Sequence, residues 1–145
     1  MNGTFATERE GCPITAAGQA IREAEFQIFH RYAKPLVEVE DFELEAYSIA
    51  MAVGESQSWA ESGILGYSVL ADLPKLRALQ EETRRLDVRR LSAIESTLNR
   101  LNDLATPDIL ADMDEYLVKV FTPRRVGAEL PSPSSLRRRL RERIQ

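Results

Sequence analysis

Three carboxylates in the second half of the chain have a spacing that could support chemistry: Asp108, Asp112 and Glu115. Spacings of four and three place them on one face of a helix, where a divalent cation would be the ligand to consider. A single helix face supplies too few converging oxygens to hold such an ion. We therefore predict a solvated acidic face here and no metal site.

A second group of acids surrounds the start of a predicted helix and comprises Glu38, Glu40, Asp41, Glu43 and Glu45. Acids near a helix N-terminus interact favourably with the helix dipole, by about 0.3 kcal/mol or somewhat more each. No basic residue lies among them to separate their pKa values as a catalytic pair requires. We interpret them as stabilising the helix.

His30 and Cys12 are the only histidine and the only cysteine in the chain. Zinc needs several such ligands, so His30 is predicted to be a surface residue. A lone cysteine cannot form an intrachain disulfide, which fits a reducing compartment. The sequence also lacks a glycine-rich phosphate loop and a serine with a plausible base. We expect no catalytic residue, cofactor or metal, and no enzymatic activity.

No stretch approaches the roughly 18 uninterrupted apolar residues of a membrane span, and the N-terminus has no apolar signal core. We expect a cytoplasmic protein with no membrane partner. Residues 1–121 hold 12 Lys and Arg against 21 Asp and Glu, a net charge of −9. Residues 122–145 hold 7 Arg against 2 Glu, a net charge of +5.

Clustered cations can bind phosphates without reading base sequence. The basic tail therefore predicts weak, non-specific contact with DNA through its seven arginines: Arg124, Arg125, Arg137, Arg138, Arg139, Arg141 and Arg143. The same tail could instead dock on the acidic body or on an acidic partner.

Apolar residues recur every three or four positions through most of the chain, and no stretch alternates as a strand does. The pattern predicts an all-α protein, an orthogonal or irregular bundle of about six or seven helices. The first helix should follow Pro13, end before Pro35, and bury the stripe Ile14, Ala17, Ile21, Ala24, Ile28 and Tyr32. Later helices should span 41–53 and 56–71, follow Pro74, and begin after the caps Asp87 and Thr106. The charged stretch EETRR, residues 81–85, is predicted to be a link.

The second and third predicted helices meet at a helix-turn-helix-like corner formed by Ala50, Gly54, Ser56 and Ala60. Ala50 allows a close crossing, Gly54 supplies a left-handed turn residue, and Ser56 caps the next helix. Trp59 should be partly buried beside the second helix. If the corner read DNA bases, the exposed start of the third helix would face the groove with Gln57, Ser58, Glu61 and Ser62.

The domain organisation follows from these elements. Residues 1–12 are a polar lead, 13–121 a helical domain, 122–135 a Pro/Ser loop, and 136–145 a basic helix with the stripe Leu136, Leu140 and Ile144. So thin a stripe buries little alone. This helix would pack on the domain, pair with its copy, or await a downstream segment.

The segments that carry a family resemblance are IAMAVGESQSWAESGILGYSVLADLPKLRAL, RLDVRRLSAIESTLNRL, DMDEYLVKVFTP and ELPSPSSLRRRLRERI. From about Asp41 onwards the chain resembles an actinobacterial helical domain of unknown function, family 222, also called the 13E12 repeat family. That domain commonly precedes an HNH nuclease module and normally continues beyond the final arginine helix. The resemblance implies a truncated or a short stand-alone copy, and no nuclease chemistry, because the histidines of the HNH motif are absent.

Two functions remain open at the sequence level. The chain could be a non-catalytic accessory domain that assists DNA association through its basic end. Its protein partner would then be a second copy of itself or a downstream nuclease module. Alternatively, it is a structural or protein-interaction module, an oligomerisation domain for example, that does not bind DNA.

Overall fold

A computed structural model describes residues 13–30, 42–101, 104–122 and 130–144. Within these residues the chain forms seven α-helices and no strand: α1 Pro13–Phe29, α2 Phe42–Val53, α3 Gln57–Ser68, α4 Pro74–Thr83, α5 Val88–Leu101, α6 Pro107–Phe121 and α7 Pro133–Ile144. This confirms the predicted all-α class. No helix among them is long and apolar enough to cross a membrane.

Helices α3 and α5 form the centre of the fold. They pack most extensively against each other, α2 and α1 pack on α3, and α7 packs on α5. Helix α4 packs against α6. The apolar side of α3 is buried and comprises Ala60, Ile64 and Tyr67, and the following Leu70 is buried as well.

Capping side chains begin three helices where the sequence predicts them. The Ser56 hydroxyl accepts a hydrogen bond from the Trp59 amide at 3.1 Å, and the Asp87 carboxylate accepts one from the Arg90 amide at 3.0 Å. Thr106 does the same for Ile109 at 3.3 Å. Each cap satisfies an amide that the helix itself cannot bond.

The predicted inner face of α1 is wrong except at Ile28, which is partly buried and packs against the core. Ile21 is 58% exposed, and Ala17 and Ala24 are exposed as well, whereas Phe26 and Phe29 are buried. Two aromatic rings remove more apolar area from water than a stripe with two alanines, so the helix turns its aromatic side inward. Ile14 and Tyr32 lie outside the side chains that the structure describes.

Other boundaries also differ from the prediction. Helix α3 ends at Ser68 and continues as a 3-10 helix, Val69–Asp72. Most of the predicted link EETRR belongs to α4, which ends at Thr83. Helix α7 begins at Pro133, and the preceding Ser132 caps it: its hydroxyl accepts a hydrogen bond from the Ser135 amide at 3.1 Å. Val53, the last residue of α2, is 43% exposed.

Three buried polar side chains form hydrogen bonds with the backbone of a segment outside their own helix. The Asp114 carboxylate of α6 accepts from the amides of Lys75 and Leu76 at 2.9 and 2.8 Å and so caps α4. Glu25 of α1 accepts from the first amide of α5, that of Val88, at 3.1 Å. Gln80 of α4 exchanges two hydrogen bonds of 2.9 Å with the backbone of Leu86.

Candidate nucleic-acid interface

The corner between α2 and α3 has the predicted geometry. Gly54 adopts φ +75°, and the Glu55 amide donates to the Ala50 carbonyl at 2.9 Å. Ala50 and Ala60 are buried where the two helices meet. Trp59 is partly buried, and the ring that contacts it is Phe29 of α1, with centroids 5.0 Å apart.

The exposed start of α3 is acidic. The Gln57 amide group donates to the Glu61 carboxylate at 2.9 Å and to the Glu43 carbonyl at 3.4 Å, so its donors are already engaged. Neither α2 nor α3 contains Lys or Arg. Phosphates would be repelled by these carboxylates, so the corner is poorly suited to enter a DNA groove.

Helix α7 packs on the domain, the first of the three possibilities for its apolar stripe. Leu136 and Leu140 have no exposed surface, and Arg90 of α5 donates to the Pro131 carbonyl at 2.8 Å. At the other end, Arg143 forms two hydrogen bonds with Asp112 of α6, at 2.8 and 3.0 Å. The Arg143 guanidinium also lies 4.7 Å from the centroid of the Tyr116 ring.

The candidate arginines consequently separate into three groups. Arg143 is engaged with α6, and Arg138 lies 4.0 Å from Glu142 on its own helix. Arg137, Arg139 and Arg141 form no hydrogen bond or ion pair with the part of the chain that the structure describes. Arg124 and Arg125 lie outside that part.

A groove of about 230 Å³ runs between α5 and α7 and adds an arginine that the sequence analysis did not select. Its lining comprises Arg100, Arg137 and Arg141 together with Ser96, Thr97, Leu101 and Ile144. Arg100 is exposed in the last turn of α5 and aligns with the tail only in the folded chain. Three arginines line this groove, although its exposed surface is mainly apolar. Guanidinium groups are able to bind a phosphate group.

Two of the three carboxylates considered for metal binding are paired with cations. Asp112 binds Arg143, and Glu115 lies 3.0 Å from Lys75. The described residues hold no group of three or more His, Cys, Asp or Glu side chains able to bind a metal ion. Glu43 and Glu45 lie in the first turn of α2, as predicted, whereas Glu38, Glu40 and Asp41 fall in an undescribed segment.

His30 is half-buried and stacks on the Phe26 ring, with centroids 4.3 Å apart. Burial lowers the pKa of His30 below its ordinary value, with Arg77 and Arg84 acting in the same direction. Cys12 is not among the described residues.

A further pocket of about 320 Å³ between the 3-10 helix and α5 is lined in part by Asp72 and Glu95. Burial raises the pKa of Glu95. Two carboxylates alone do not make a cation site.

Comparison of the chain with protein-family models, with curated proteins and with solved structures found no match.

Proposed function

We propose that this chain is a non-catalytic helical accessory domain that contacts nucleic acid weakly through α7 and Arg100, without reading base sequence. The observation that supports this most directly is that Arg137, Arg139 and Arg141, on a helix that buried leucines hold in place, have no ion pair among the described residues. Cations on a fixed helix can neutralise phosphates without first ordering a segment, which lowers the entropic cost of binding.

The resemblance to the helical domain that precedes HNH nuclease modules agrees with this proposal. An accessory domain of that kind would hold or orient a nuclease on its substrate, with the downstream module as its partner. The acidic body would keep such contact weak and confined to one end of the molecule, because carboxylates repel phosphates.

The test is a titration of labelled duplex DNA at several salt concentrations. The variant Arg137→Gln/Arg139→Gln/Arg141→Gln should bind more weakly, and its salt dependence should fall by up to about three units of slope, roughly one for each lost phosphate contact. The control Lys75→Gln/Arg77→Gln/Arg89→Gln removes three exposed charges from other helices and should change binding little.

A second control replaces Gln57 and Ser58 by alanine and should leave affinity and sequence preference unchanged. If that variant instead loses discrimination between DNA sequences, the corner is the binding element and the proposal is wrong. Equal weakening by both triple variants would mean that net charge, rather than α7, determines binding. Absence of binding by the unmodified protein at low salt would exclude the nucleic-acid function and favour a protein-interaction module.

A further inference from the structure

The outer face of α2 is apolar and unused by the core. Four of the six large apolar side chains exposed in the described residues lie on this helix: Leu44 at 63%, Tyr47 at 50%, Met51 at 65% and Val53 at 43%. Leu44, Tyr47 and Met51 follow one another at spacings of three and four, which forms a stripe on one side of a helix. The opposite side contributes the buried Ala46 and Ala50 to the core. Helix α2 therefore has two apolar sides, and we call the exposed one the outer stripe: Leu44, Tyr47 and Met51.

Carboxylates border the outer stripe. At about 100° per residue, Glu43 projects about 40° from Tyr47 on one side of the stripe, and Glu45 projects about 100° from Leu44 on the other side. Both are exposed. Glu55 is exposed at the C-terminal end of the helix, and Glu61 lies on the adjacent α3. Residues 35–74 contain no Lys or Arg at all. All charged side chains within this stretch of sequence are thus acidic.

We propose that the outer stripe is a docking site for a basic amphipathic helix of a partner protein. Apolar anchors at spacings of three and four suit a partner helix that inserts its own apolar residues between them. Lys or Arg residues flanking those anchors would meet Glu43 and Glu45, and such complementary charge favours association and suppresses unsuitable partners. Met and Leu side chains adapt to partners of different shape.

The charges also argue against other occupants. A second copy that paired through the same stripe would bring two sets of carboxylates together. Helix α7 of another copy offers arginines, yet its leucines Leu136 and Leu140 are buried in their own core. An anionic lipid surface would be repelled by the acidic border.

The experiment uses the full chain and a synthetic helical peptide of Leu and Lys with one apolar face. A peptide of the same composition, permuted so that no apolar face forms, is the control probe. Fluorescence anisotropy of the labelled peptides gives the two affinities at low and at physiological salt. We expect the amphipathic peptide to bind about tenfold or more tightly than the permuted one, because only it can bury apolar side chains on the stripe.

Two double variants separate the apolar and the electrostatic contributions. Leu44→Ser/Met51→Ser should lower the affinity for the amphipathic peptide about tenfold. Glu43→Gln/Glu45→Gln should lower this affinity several-fold and reduce its dependence on salt. The matched control Ile21→Ser removes an equally exposed apolar side chain from α1 and should bind as the unmodified chain does. Circular dichroism verifies that each variant remains folded.

Equal binding of both peptides, or unchanged affinity in Leu44→Ser/Met51→Ser, would overturn the proposal. Sedimentation provides a further check on the occupant. If the unmodified chain is a dimer that Leu44→Ser/Met51→Ser dissociates, the stripe is an interface between copies, and the proposed partner is wrong.

Discussion

At Gly66, helices α3 and α5 approach so closely that a Cβ atom would lie 3.0 Å from both the Leu91 Cβ and the Ser92 backbone nitrogen. One turn earlier, a Cβ at Gly63 would overlap the Phe29 ring of α1. Both glycines are buried, and the absence of a side chain is what allows these contacts. They determine how near α1 and α5 can come to the central helix, since packed interiors have no room for an additional carbon.

We predict that Gly66→Ala lowers the free energy of unfolding by about 1–3 kcal/mol, because the new methyl group meets backbone that cannot move aside cheaply. The control Gly18→Ala lies on α1, where the nearest neighbour of a Cβ would be the flexible end of Arg22 at 3.6 Å. It should be neutral or stabilise the protein by up to about 1 kcal/mol, as alanine favours helices. Urea denaturation measures both. Equal stability of the two variants would mean that α3 and α5 are less closely packed than described.

At the scale of elements, tertiary contacts fix the ends and joints of helices. Arg84 ends α4 in the left-handed conformation at φ 50°, which is unfavourable for a residue with a side chain. Its guanidinium lies 3.8 Å from the centroid of the Phe26 ring and 3.2 Å from Glu23, and its carbonyl accepts from Arg22 at 3.0 Å. Three contacts with α1 thus hold this joint in place.

The corner at Gly54 depends on backbone conformation alone, because a Cβ there would meet nothing within 4 Å. Gly54→Val should destabilise the fold by roughly 1–3 kcal/mol through strain at a left-handed position. Gly54→Asn should cost less, since asparagine tolerates this conformation better than other residues with side chains. Thermal unfolding compares the two variants. An unchanged melting temperature in Gly54→Val would mean that α2 and α3 do not turn here.

At the scale of the whole molecule, stability should depend on pH through Glu25, which joins α1 to α5. Burial is the main cause that raises the pKa of this carboxyl above its ordinary value of 4.5, and Asp87 acts in the same direction. The Val88 amide and the Trp59 side chain oppose the change by hydrogen bonding to the carboxylate. The folded chain therefore keeps the Glu25 proton to higher pH than the unfolded chain does.

The contribution of this proton to stability is fully present below pH 4.5, the unfolded pKa, and is lost as pH rises through the folded pKa. Glu25→Gln keeps an acceptor for Val88 but cannot ionise. The free energy of unfolding of Glu25→Gln, relative to that of the unmodified protein, should increase as the pH rises from about 4 to 7. Urea denaturation measures both values. Glu25→Ala should show the same trend from a lower stability at every pH, because it also loses the acceptor. Parallel curves for Glu25→Gln and the unmodified chain would contradict this assignment.

The sequence by itself determined the helical class, the caps at Ser56, Asp87 and Thr106, and the left-handed turn at Gly54. These features depend on interactions within one or two helical turns, so local residue types are sufficient to predict them. Which side of α1 faces inward was decided by Phe29 packing on Gly63, a contact between distant segments. Periodicity could not distinguish the two apolar sides of α1.

The candidate site divides in the same way. The sequence shows that arginines cluster in α7, but it does not show which of them are already paired with carboxylates of the fold. The pairing of Arg143 with Asp112, 31 positions earlier, and the approach of Arg100 to Arg137 and Arg141 exist only in the folded chain. Asp114 is buried, whereas Asp112, two residues earlier, is exposed, and no neighbouring residue in the sequence indicates this difference. Asp112 and Asp114 have the same chemistry, but they point in different directions because a helix turns about 100° per residue. Only the position of α4 determines that Asp114 becomes the buried cap.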